Sequence, residues 1–112
     1  MPRTRVAEEP LILISAVVVG LVRLDGRDLT ARGLAILLAV DTLPGPHTVR
    51  GMAQRLAVDK PSITRTLNRL EALNLVRRTA DPADGRSVLV RPTRAGSAYV
   101  ARVGRLAREA AA

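Results

Sequence analysis

The spacing of hydrophobic positions changes character three times along this chain. Leu11-Ile12-Leu13-Ile14-Ser15-Ala16-Val17-Val18-Val19-Gly20-Leu21-Val22 is apolar on every face. With Glu8 and Glu9 placed where a helix dipole favours acids and Pro10 suited to a first turn, residues 8–24 read as a helix. The β-branched content also suits a buried strand, and periodicity alone does not separate the two. As a helix, a segment apolar all round is expected to be covered on both sides, by its own chain and by a second subunit. Asp25-Gly26 then breaks the run.

The next three segments have helical spacing. Thr30 is an N-cap for a helix to about Asp41 carrying Leu34, Leu37 and Leu38. The rigid loop Leu43-Pro44-Gly45-Pro46-His47 separates it from a short helix that starts at Thr48 and carries Met52, Ala53, Leu56 and Ala57. After a tight connection at Val58, Asp59 caps a helix running to about Leu73, with Asn74 as its stop. Residues 48–73 thus form a helix-turn-helix. The period then becomes alternating. Leu75-Val76-Arg77-Arg78 and Ser87-Val88-Leu89-Val90-Arg91 predict a hairpin over 75–91, closed by Asp81-Pro82-Ala83-Asp84-Gly85. Thr93 caps a last helix over 93–112. The expected fold is mainly α with a small β-hairpin, a single winged helix-turn-helix domain over 1–112.

The helix after Asp59 carries the functional signal. At 100° per residue, Ile63, Leu67 and Leu70 fall within about 60° of one another. Pro61, Arg65 and Asn68 point the opposite way, flanked by Ser62, Thr64 and Arg69, with Glu71 as the one carboxylate near the edge. Arginine can bond guanine O6 and N7 together, asparagine can bond adenine N6 and N7, and hydroxyls serve bases or phosphates. A merely solvated helix face is the alternative, but such faces usually mix acids with bases in i, i+4 pairs. Pro61, Ser62, Thr64, Arg65, Asn68 and Arg69 are therefore the candidate base-reading residues.

Composition agrees with a polyanion partner and removes most others. The 112 residues carry 18 basic and 10 acidic side chains, a formal net charge of +8. Lys60 is the sole lysine, so the basic residues are almost all arginine, the side chain suited to forked contacts with phosphates and guanine edges. One tyrosine and no Phe or Trp argue against base-stacking platforms for single strands or RNA. Without cysteine there is no disulfide, thiol nucleophile or thiol-based metal site, and the single His47 cannot supply a histidine-based one. No enzyme activity and no cofactor are expected. The uncharged stretch from Pro10 to Val22 is shorter than the roughly 20 residues that span a bilayer. No export signal or membrane segment is expected, and the location is expected to be cytoplasmic, at the nucleoid.

The hairpin adds Arg86 at or near its tip, where the negative potential of a narrow minor groove attracts an arginine; an ion pair with Asp81 or Asp84 inside the loop is the alternative. Asp81, Asp84 and Gly85 read as the scaffold of that loop. Arg50, Arg55, Lys60, Arg77 and Arg78 are candidate phosphate contacts, with Arg27 and Arg32 weaker ones. His47 reads as a solvated loop residue.

The run from Thr48 to Glu71, the wing Asp81-x-x-Asp84-x-Arg86 and the helix opening Thr93-x-x-Gly96 together resemble the MarR family of bacterial transcription regulators. The resemblance covers about residues 29–103. It implies a homodimer on a pseudo-palindromic operator in double-stranded DNA, with the helix after Asp59 in the major groove and Arg86 in the minor groove. It also implies a dimer interface from the N- and C-terminal helices. Relatives usually have longer C-terminal regions, so the apolar first helix is expected either to carry most of any dimer contact or to be covered by a different partner. Family members often bind aromatic effectors. Tyr99, the one aromatic here, reads as packing, and an effector is left open. An adaptor docking through the first helix and a sequence-tolerant nucleoid protein are the competing readings.

Overall fold

The computed structural model describes the backbone of residues 5–24 and 28–112, and the side chains of 9–24 and 28–112. The Asp25-Gly26 break, Arg27 and the side chain of Glu8 lie outside the described residues. The order is α1 (Arg5–Val22), α2 (Ala31–Thr42), α3 (Val49–Leu56), α4 (Lys60–Ala72), β1 (Val76–Asp81), β2 (Asp84–Pro92) and α5 (Arg94–Ala111). The chain divides into two units, residues 29–100 and a second made of 1–28 with 101–112; α5 runs from one into the other.

In the larger unit, each helix start is fixed by a side chain that accepts an otherwise unpaired amide. Thr30 Oγ1 takes Gly33 N–H at 3.0 Å, Thr48 Oγ1 takes Gly51 N–H at 2.9 Å and Asp59 Oδ1 takes Ser62 N–H at 2.8 Å. Thr93 Oγ1 takes Gly96 N–H at 2.9 Å and also donates to the Asn74 carbonyl at 2.6 Å, tying α5 to the end of α4. Ile36, Leu37, Ile63, Leu67 and Leu75 are wholly buried, so the apolar stripes of α2 and α4 meet in one core. Gly96 lets α5 approach closely: a Cβ there would stand 2.0 Å from the Leu75 carbonyl oxygen.

The turn between α3 and α4 sits one residue earlier than expected. Ala57, with φ of 55°, takes the left-handed conformation and its N–H closes α3. Asn74, with φ of 60°, does the same after α4. The strands of the hairpin are longer than predicted. They reach Asp81 and Asp84, leaving Pro82 and Ala83 as the turn; the register is irregular between Ala80 and Asp81, and β2 bulges over residues 85–87. An antiparallel bridge from Thr48 to Leu89 and a bond from Val90 N–H to the His47 carbonyl, 2.9 Å, hold the start of α3 against β2.

In the smaller unit the first segment is helix, not strand. It begins at Arg5, so Pro10 lies inside it rather than in its first turn. Leu13, Val17, Gly20, Leu21 and Leu24 form a half-buried stripe at helical spacing, and Gly20 abuts Leu106 of α5. The other face is open: Leu11, Ile12, Ile14, Val18, Val19 and Val22 are all exposed. This chain alone covers α1 on one side. Among the described residues no helix is long and apolar enough to cross a membrane.

Candidate nucleic-acid interface

α4 points its two faces as its sequence demands. Ile63, Leu67 and Leu70 are sealed in the core, while Pro61, Arg65, Asn68 and Arg69 are exposed and Thr64 is half-buried. Ser62 departs from the expected base-reading set. It is 7% exposed, because Asp59 uses both carboxylate oxygens: Oδ1 accepts the Ser62 amide and Oδ2 accepts the Ser62 hydroxyl at 2.9 Å. The same hydroxyl accepts from Arg65 Nη2 at 3.0 Å. Ser62 therefore links the helix cap to the exposed arginine rather than facing outward itself. These bonds to Ser62 are also what hold the Asp59 carboxyl below its ordinary pKa.

Arg78 is similarly engaged. Its Nε donates to Glu71 Oε1 at 2.8 Å, its Nη2 reaches the same oxygen, and its own amide donates to Glu71 Oε2 at 3.2 Å. Nη2 also donates to Asn68 Oδ1 at 2.6 Å. These bonds from Arg78 lower the pKa of Glu71. Arg78, expected as a phosphate contact, instead locks the first strand to α4 and holds the Asn68 amide, leaving the Asn68 NH2 end to donate. Arg77, its neighbour on an extended strand, faces the other side of the hairpin.

Between α3, α4 and the hairpin lies a groove of about 370 Å³ lined by Thr48, Arg50, Lys60, Thr64, Arg78, Asp84, Arg86 and Ser87 among others. Four cations line it against one acid. That acid, Asp84, accepts the Arg86 amide at 3.0 Å, and Asp81 accepts the Ala83 amide at 2.9 Å, so both aspartates brace the turn locally. Gly85, expected in the same scaffold, plays no such part, because it has no left-handed φ and a Cβ there would meet nothing within 4 Å. Arg86 lies on β2 beside the turn and is exposed. Its guanidinium makes no ion pair or hydrogen bond among the described residues. Arg50 and Arg55 are exposed on α3, and Arg32 on α2.

His47 Nε2 lies 3.0 Å from the Leu43 carbonyl, closing its own loop. Tyr99 is 3% exposed, a core residue of α5. Sequence reasoning missed the second oxygen of Asp59 and the pairing of Glu71 with Arg78. The latter spans seven residues across a helix–strand junction, a spacing to which no helical or strand rule points.

A profile of the MarR family matches residues 27–87. No curated protein matches the chain. Among solved structures, the transcriptional regulator Tm0710 from Thermotoga maritima is 28% identical, with 95% of this chain and 75% of that one covered and a TM-score of 0.76. A crystal structure of MarR is 27% identical over 96% of this chain and 78% of its own, with a TM-score of 0.69. A MarR mutant from E. coli complexed with operator DNA is 26% identical over 89% and 66%, with a TM-score of 0.66.

Proposed function

This chain belongs to the MarR family, and we propose that it regulates transcription as a repressor by binding double-stranded operator DNA sequence-specifically. The observation that carries this is the continuity of one basic surface. The exposed Arg65, Asn68 and Pro61 of α4 adjoin a groove carrying Arg50, Lys60 and Arg86, the last unpaired among the described residues. In this reading α4 enters the major groove, where Arg65 and the NH2 end of Asn68 meet base edges, with Pro61, Thr64 and Arg69 beside them. Arg86 enters the adjacent minor groove. Arg50, Arg55 and Lys60 neutralise phosphates and set the register. The E. coli MarR mutant held on operator DNA supports this assignment by its likeness. The chain acts by binding, without catalysis, in the cytoplasm.

The open face of α1 is assigned to a second copy of the chain. Leu11 and Val22, 69% and 65% exposed, mark an apolar strip of the kind that protein interfaces cover. A homodimer places two α4 helices on two half-sites. Selection from a random pool of duplex DNA tests the whole reading. Enrichment of two related half-sites about ten base pairs apart is expected. Recovery of no common sequence, or displacement by bulk genomic DNA at equal mass, would overturn it. A monomer by mass measurement would instead favour an adaptor that uses α1 for another protein.

A further inference from the structure

The hairpin sets Arg77 directly opposite Arg91 in the antiparallel register, and both side chains are exposed. Opposed residues stand about 4.5–5.5 Å apart at Cβ, where like charges repel. Arg94, exposed at the first residue of α5, adds a third guanidinium at a helix end whose dipole disfavours cations. These three and Thr79 line a groove of about 320 Å³ in which no acid takes part. Among the described residues none of the three arginines makes a side-chain hydrogen bond or ion pair. Glu71 feels the charge of Arg77, but Arg78 occupies its carboxylate. Three like charges are thus held together with only the distant attraction of Glu71 for Arg77 against their repulsion among the described residues.

This groove is distinct from the DNA-reading surface. Arg78 faces α4, so Arg77 opens on the opposite side of the sheet. Arg86 lies five residues from Arg91 along β2, in the bulge beside the turn, and does not line this groove. We propose that Arg77, Arg91 and Arg94 form a second anion site that takes a phosphate group, with the Thr79 hydroxyl as a further donor. Guanidinium forks match the oxygens of a phosphate bidentately, and the volume suits a small phosphorylated ligand. The same chemistry could come from a DNA backbone. The outward aspect of the groove points to the free ligand.

Two titrations of the full chain separate these sources. Inorganic pyrophosphate, followed by 31P NMR, is expected to bind saturably. Arg77→Gln with Arg91→Gln should weaken it by about tenfold per guanidinium, while Arg105→Gln, exposed on α5 and lining neither basic groove, leaves it unchanged. The double variant, relieved of repulsion, should melt no lower than the parent, which separates loss of the site from loss of fold. The salt slope for duplex DNA should stay the same. A slope lower by about 0.9 per lost contact, with no pyrophosphate binding, would assign the phosphate to DNA and overturn the free-ligand source. Absence of both effects, or equal loss of pyrophosphate in Arg105→Gln, would overturn the site.

Discussion

Arg65 donates from Nη2 to the hydroxyl of Ser62, 3.0 Å away and one helical turn back, and that hydroxyl donates onward to Asp59. An exposed arginine of α4 is thereby tied to the cap that starts its helix. Ser62→Ala removes the acceptor and little buried surface. It should cost about 0.5–1.5 kcal/mol in binding to the selected DNA, with a smaller loss on scrambled duplex, since orientation matters where bases are read. An unchanged ratio between the two, measured by fluorescence anisotropy, would mean that Ser62 does not orient Arg65.

Glu71→Gln should weaken the lock between α4 and the hairpin and free Arg78. The pair is partly exposed, at 33% and 22%, so the expected loss of stability near neutral pH is about 1 kcal/mol. A denaturation midpoint that does not move would contradict this.

Acid should act through Glu71 and Asp59 together. Asp59 and Glu71 both have folded pKa values below their ordinary ones, so both bind protons less readily when folded. The stability they add is complete above the ordinary values, 3.8 and 4.5, and is lost as pH falls through the lowered ones. Denaturant midpoints taken downward from pH 6 should stay level until near pH 4.5 and then fall. Glu71→Gln should shallow that descent.

Two substitutions at backbone-limited positions should have opposite signs. Gly96→Ala drives a methyl group into the Leu75 carbonyl and should cost about 3 kcal/mol or more. Ala57→Gly relieves a left-handed alanine, worth about 1–2 kcal/mol, less the entropy of a freer unfolded chain. A net gain of about 0.5–1 kcal/mol is expected in thermal melts.

The elements are legible in the sequence because their signals are local. Thr30, Thr48, Asp59 and Thr93 each cap the helix that follows them, and the stripe Ile63–Leu67–Leu70 faces the core as its spacing requires. The missed features are set by particular side-chain and backbone geometries that no periodicity encodes. Ser62 lies on the edge of a polar face, and only the second oxygen of Asp59 turns it inward. Arg77 and Arg78 are adjacent and chemically identical, yet strand alternation sends one to Glu71 and the other to the far side of the hairpin. The left-handed turn falls on Ala57, which carries none of the Gly or Asn chemistry that marks such positions.

The proposed function divides the labour between Arg65, assigned to a base, and Arg55, exposed at the end of α3 and assigned to the backbone. Binding of duplex DNA by the two alanine variants across a range of salt tests it directly. Arg65→Ala should cost about 1–3 kcal/mol on the selected sequence and relax preference at one position. Arg55→Ala should weaken selected and unrelated sequences alike and lower the salt slope by about one. Loss of neither affinity nor slope in either variant would contradict the assignment of this surface to DNA.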